Sequence, residues 1–171
     1  MSNVFFTADT HFGHAKVLAF ESSTRPFTTI EEHDEELIKR WNDRVRPKDI
    51  VWHLGDVYFG KTGEGLVDLI RRLNGKKHLI RGNHDTLDTA YYVTVFDEIY
   101  GVWPKYGFVM SHVPLHPESV DRWGLNVHGH LHSSSIRTDD NYDVDPRYLC
   151  VSVEQHNLAP VSLDEIRKAT E

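Results

Sequence analysis

Short apolar runs in this chain repeatedly break off at side chains able to bind metals, and this pattern limits the fold more than any other feature. Asp9-Thr10-His11 follows the run Val4-Phe5-Phe6-Thr7-Ala8, and Gly55-Asp56 closes a run that starts at Asp49. Gly82-Asn83-His84-Asp85 follows Lys77-His78-Leu79-Ile80-Arg81. Ser111-His112 and Gly129-His130-Leu131-His132, with His128 just ahead of the latter, end further runs. Compact β-rich runs of this kind are buried strands. Open α/β sheets bind ligands in the crevice beyond the carboxyl ends of their strands. A chain with its donors at those ends can build one cleft from several loops.

The donors are oxygen and imidazole groups with no thiolate, a set that suits manganese, iron, zinc or nickel. Asp9, His11, Asp56, Asn83, His84, His112, His130 and His132 are eight groups, twice what one tetrahedral metal needs. The economical reading is two adjacent metals bridged by a carboxylate, an arrangement that hydrolyses phosphate esters. Asp9 and His11 are two residues apart, as are His130 and His132. On extended backbone such pairs point to one side. Gly55 before Asp56 permits a sharp turn. Alone, Gly-Asp or Asp-x-His signifies little, since Gly-Asp is a common turn; the conjunction carries the weight.

The segments between these patches predict the architecture. Leu37, Ile38, Trp41 and Val45 give an amphipathic helix over 31–45, stopped by Pro47. A second helix over 63–74 carries Leu66, Leu69, Ile70 and Leu73 inward and closes at Gly75. Asp85 with Asp88 is placed to cap a short helix through Tyr91, and a last helix follows Ser162. Further strands are predicted at 93–99, 107–112, 125–129, 141–145 and 148–153. The first half is β-α-β-α-β, which implies parallel strands with right-handed crossovers. The second half is mostly strands. The fold class is α/β, two sheets flanked by helices.

At 171 residues the chain is expected to be one domain, 1–171. Its formal net charge of -7 argues against binding long duplex nucleic acid, which relies on Lys and Arg stripes. No apolar run is long enough to span a membrane, and the N-terminus lacks the basic region of a signal peptide. Cys150 is the single cysteine, so no internal disulfide forms, and a reducing cytoplasm is the expected location.

With these motifs in order, the chain resembles the calcineurin-like metallophosphoesterases, nearly end to end, and within them the small capless bacterial and phage-type phosphoesterases. The pattern Asp-x-His, Gly-Asp, Gly-Asn-His-Asp, His and Gly-His-x-His is complete. The stretch Ala8-Asp-Thr-His-Phe-Gly-His14, Arg25-Pro-Phe27, and Trp41-Asn42 ahead of Leu54-Gly-Asp56 share that likeness. The resemblance implies an α/β/β/α four-layer sandwich. It implies that Asp9, His11 and His132 bind a first metal, that Asn83, His112 and His130 bind a second, and that Asp56 bridges them. It further implies two divalent transition-metal ions, with manganese the first expectation, a hydroxide shared between them as nucleophile, and His84 as the acid that protonates the leaving group. One departure is informative. Protein Ser/Thr phosphatases of this superfamily carry Asp-Arg-Gly after Gly-Asp, whereas Asp56 is followed here by Val57-Tyr58-Phe59-Gly60. A protein phosphatase is therefore not expected; the likeness to small capless members, which often tolerate two substituents on phosphorus, implies a small phosphoester substrate, preferably a nucleotide-type diester. Phosphomonoester hydrolysis and a non-catalytic scaffold of the same fold that binds protein partners are the alternatives. Substrate choice is expected from loops near 12–30, 57–64, 113–124 and 133–142.

Other residues carry weaker expectations. His14, Arg25 and Arg122 are candidate substrate contacts, with Arg81 a further candidate phosphate clamp because a guanidinium fork matches phosphate oxygens. His53 reads as a satisfied core histidine, and His128 as an orienter of the ligands. His33, His78 and His156 read as solvated or structural, and His116 as loop structure. Phe12, Tyr58 and Trp123 could stack on a base but are more readily core.

Overall fold

The structure, a computed structural model, describes residues 2–138 and 140–170. In chain order the strands are β1 (Val4–Thr7), β2 (Ile50–His53), β3 (Lys76–Ile80), β4 (Glu98–Tyr100), β5 (Val102–Lys105), β6 (Phe108–Ser111), β7 (Asn126–His128), β8 (Tyr148–Cys150) and β9 (Val161–Ser162). The helices are α1 (Val17–Phe20), α2 (Ile30–Arg44), α3 (Gly63–Arg71), α4 (Thr89–Tyr92), α5 (Pro117–Val120) and α6 (Leu163–Ala169), with a 3-10 turn at Val153–His156.

The strands form two sheets, ordered β4-β3-β2-β1-β9 and β5-β6-β7-β8. In the first, β1 to β4 are parallel and β9 is antiparallel. In the second, β6, β7 and β8 are parallel and β5 is antiparallel. The period of two along each strand divides the core. Phe6, Trp52 and Ile80 join Phe108, Met110 and Val127 between the sheets. Phe5, Val51 and Leu79 face the opposite way, onto Leu37, Ile38 and Trp41 of α2 and Leu66 and Ile70 of α3. The outer face of the second sheet has a thin cover. The segment around α5 lies on it, with Leu115 N–H donating to Asn126 Oδ1 and Tyr148 O–H donating to Leu115 O.

Local signals explain the helix boundaries. Thr29 and Glu32 form a capping box ahead of α2, and Ser162 and Glu165 form one at α6. Thr62 accepts from Gly65 N–H at the start of α3. Asp88, rather than Asp85, caps α4. The helix expected over 63–74 ends at Arg71, and of the strand expected over 93–99 only Glu98 and Ile99 are extended, as part of β4. The strand expected at 141–145 is absent; an isolated bridge, Arg137 to Val144, is all that forms there. Among the described residues, no helix is long and apolar enough to cross a membrane.

Candidate metal centre

The donor patches lie just past β1, β2, β3, β6 and β7, and loop-to-loop backbone bonds hold them together. Asp9 N–H donates to Gly55 O, His11 N–H to Asp56 O, and Gly129 N–H to His112 O. The backbone here is not extended, contrary to the sequence-based expectation. Asp9, His11, Asp56, His130 and His132 all have φ between 48° and 70°. Left-handed conformations in non-glycine residues are costly and gather at functional sites. They let two donors two residues apart face one point without a continuing strand. Two glycines are required by close approach. A Cβ at Gly82 would lie 2.3 Å from Asp56 Oδ1, and one at Gly55 would lie 2.6 Å from Gly82 N and from His112 Nδ1.

Seven sequence-predicted ligands converge. Donor atoms of Asp9, His11 and His132 lie within 4.8 Å of one another, and so do those of Asp56, His112 and His130. Asn83 Oδ1 is 2.9 Å from His112 Nε2. Asp56 Oδ2 joins the two groups, 3.7 Å from His11 Nε2 and 3.4 Å from His112 Nε2.

Each carboxylate has one oxygen tethered and the other open. Asp9 Oδ2 accepts from Ser152 Oγ and from His130 N–H, while buried Oδ1 has no partner. Asp56 Oδ1 accepts from His84 N–H at 2.9 Å, and Oδ2 faces the histidines. The histidines are oriented in the same way. His112 Nδ1 donates to Leu54 O at 2.7 Å, which aims Nε2 at Asn83 Oδ1 and Asp56 Oδ2. His132 Nδ1 pairs with Glu154 Oε1 at 2.8 Å. An outer partner on one ring nitrogen directs the other at a metal. The buried His11 nitrogens and the buried Asp9 oxygen, all without partners, fit a cation between them.

The electrostatics agree. Burial pushes Asp9 up to about 6 and His11 down to about 2, so neither readily carries its charge unaided. A divalent cation would restore the Asp9 carboxylate. Burial opposes ionisation of Asp56 too, but the hydrogen bond and charge of His112 hold it down at about 2. Burial lowers His112 and His132, but their neighbours together outweigh it and raise both: Asp56, Asp9 and the Leu54 carbonyl for His112, and Glu154 and Asp9 for His132.

His84 is exposed on the same cleft, its ring 4.8 Å from Phe59 and 5.9 Å from His11. His14 also lines the cleft, stacked on Phe59 at 4.0 Å. Arg25 does not serve as a substrate clamp. It is fully buried, with its guanidinium on Glu154 and the carbonyls of Asp9 and Thr10. Arg81 is likewise committed, to Asp85 O, Leu87 O and Thr89 Oγ1. Arg122 is exposed with its guanidinium over Trp123, and it lines neither cavity that flanks the cluster.

The other residues singled out in the sequence are placed as follows. His33 is structural, buried between Arg25 and Asp34. His128 bonds to Gly129 O and packs on Tyr148 without touching a ligand ring. His53 is a satisfied core residue, bonded to Thr10 Oγ1. Phe12 is core. Asp85 neither caps α4 nor orients the His84 ring. Its buried carboxylate accepts from the N–H groups of Asp56, Val57 and Gly82, stitching the second donor loop to the third. Asp85 and Glu154 are the supporting residues that sequence reasoning missed. Asp85 had a signal, being an acid directly after the Asn83-His84 pair of the motif; Glu154 had none.

A model of the calcineurin-like phosphoesterase family matches residues 2–161. An uncharacterized protein of Methanocaldococcus jannaschii is 36% identical, covering 100% of this chain and 93% of that protein. The Gene 66 protein of Mycobacterium phage D29 is 33% identical, covering 98% of this chain and 96% of its own length. A crystal structure of a protein of unknown function from Aquifex aeolicus has the same fold, with a TM-score of 0.74 at 23% identity over 98% of this chain and 99% of that one. The chain belongs to the calcineurin-like phosphoesterase family, and its His and Asp clusters are those of a metal-dependent phosphoesterase.

Proposed function

We propose that the protein hydrolyses small phosphodiesters at a dinuclear centre, with manganese as the working metal. Asp9, His11 and His132 would hold one ion, Asn83, His112 and His130 the other, and Asp56 both. Bound cations supply Lewis acidity to the phosphoryl oxygens and to an attacking water. The chain's own residues do the rest. His84 stands beside the cluster with its backbone pinned to Asp56, placed to give a proton to the leaving oxygen. An imidazolium can supply that proton near neutral pH.

The observation that carries the preference for diesters is the fate of the arginines. A monoester brings a second phosphate charge, for which a guanidinium clamp is the natural partner. Arg25 and Arg81 are both spent on internal contacts. Lys16 lines the cavity beside His84, and Arg81 lines the one beside Asn83 with its guanidinium committed to Asp85 O, Leu87 O and Thr89 Oγ1. Cavities also flank the cluster on two sides, beside His84 and beside Asn83. Two sides suit two substituents on phosphorus. The substrate is a small molecule, since the acidic balance leaves no basic stripe for long nucleic acid. Cys150, a lone buried thiol pushed up to about 11 by burial, is compatible with a reducing cytoplasm.

The test compares methyl p-nitrophenyl phosphate with p-nitrophenyl phosphate on manganese-reconstituted protein. A kcat/KM ratio well above one supports the diesterase. A ratio well below one makes it a monoesterase, and inactivity on both favours the scaffold alternative.

A further inference from the structure

The cavity on the His84 side has a volume of about 470 Å3, and its lining includes His14, Lys16, Phe20, Glu21, Phe59 and His84 beside the ligands His11 and His132. That volume is within the range of roughly 300–1,000 Å3 typical of small-ligand sites. Its inner end is the metal cluster; its outer end is aromatic. The rings of His14 and Phe59 are stacked at 4.0 Å, and Phe20 meets the His14 ring edge-on at 6.4 Å. Phe20 is 73% exposed, on a one-turn helix whose Val17 is buried. The segment is fixed to the cluster, because Glu21 accepts from Ser133 Oγ directly after the His132 ligand. Phe20 is thus an aromatic face, left to solvent, at a set distance from the reacting centre. His14 Nδ1 is buried without a partner beside it.

We propose that this slot is a base-binding subsite, and that the substrate is a nucleoside phosphodiester whose base stacks on Phe20 beside the His14–Phe59 pair. The inference rests on the phosphodiesterase reading and names its substrate class. Aromatic faces favour a planar group over an alkyl chain, because stacking adds to plain burial. The Lys16 ammonium offers a polar partner for ring nitrogens, carbonyls or sugar hydroxyls. Phe12, Tyr58 and Trp123, the aromatics the sequence suggested, do not line this slot.

Calorimetric binding of AMP, ribose 5-phosphate and inorganic phosphate to the manganese-loaded chain tests the proposal, alongside turnover of methyl p-nitrophenyl phosphate. AMP is expected to bind about tenfold tighter than the other two. Phe20→Ala should remove most of that margin while leaving phosphate affinity unchanged, and Phe20→Trp should keep it. The proposal is overturned if ribose 5-phosphate binds as tightly as AMP, or if Phe20→Ala weakens AMP and phosphate alike. Turnover and phosphate binding would survive such a failure. Loss of both in the wild-type protein would instead bring down the phosphoesterase reading and the subsite with it.

Discussion

Glu154 Oε1 lies 2.8 Å from His132 Nδ1, and the same carboxylate receives the buried guanidinium of Arg25. One acid thus aims a metal ligand and is itself neutralised from behind. Removing such an outer partner typically costs about 10–100-fold in metal affinity. Glu154→Gln should weaken one manganese site by that factor and leave the other intact, read by calorimetric titration. It should also destabilise the fold by about 3–5 kcal/mol, because Arg25 loses its counter-charge. The Arg25→Met/Glu154→Gln double variant should recover stability in urea denaturation without recovering affinity. Equal weakening of both sites would show that Glu154 acts on the fold alone.

Asp85 binds three backbone N–H groups with two oxygens. An amide turns one acceptor into a donor facing a donor. Asp85→Asn should therefore cost about 1–3 kcal/mol and loosen the Asp56 and Asn83 loops together. Chemical denaturation and manganese binding check it. Unchanged stability would mean that the loops do not depend on this carboxylate.

His53 contributes to acid lability, beside the buried His11 and His128, whose pKa values are also held down by burial. Thr10 Oγ1 donates to Val57 O and so accepts from His53 Nε2–H, while His53 Nδ1 accepts from Gly55 N–H. The neutral ring is fully satisfied, and burial holds its pKa down at about 3. Below the ordinary histidine value of ~6.5 the unfolded chain takes up a proton that the folded chain refuses. Stability therefore falls as pH falls from that value toward 3. Metal-free protein should lose about 1.5 kcal/mol from this group between roughly pH 6.5 and 5. His53→Gln should reduce the slope over that window by about one proton's worth in urea denaturation. An unaltered slope would contradict the assignment.

His84 touches no ligand ring closely, so its loss should spare the metals. His84→Ala should keep near-normal manganese content yet cut turnover of diesters with poor leaving groups by about 10²–10⁴-fold, and of p-nitrophenyl diesters far less. Equal losses on both classes would remove the general-acid role.

Much of this was legible from local pattern. β1, β2, β3, β6 and β7 announce themselves as apolar runs ending at donors, and their ends fall within a few residues of expectation. What escaped depends on tertiary contact. β5 carries Pro104 and is tolerated because it is an edge strand. Asn141–Asp145 alternates like a strand but is largely exposed and finds only one bridge partner. Spacing correctly grouped Asp9 with His11, but the means is a left-handed backbone and not a continued strand. The role of Arg25 is set by Glu154, 129 residues away, a pairing that no motif encodes.

The most direct test of the central claim is the count of manganese ions per chain, by elemental analysis after reconstitution and removal of excess metal, in wild-type protein and in Asp56→Ala. Because Asp56 Oδ2 faces both donor groups, two tightly held ions are expected in the wild type, with both sites weakened together in the variant. A single ion in the wild type, or loss of just one in Asp56→Ala, would contradict a carboxylate-bridged pair.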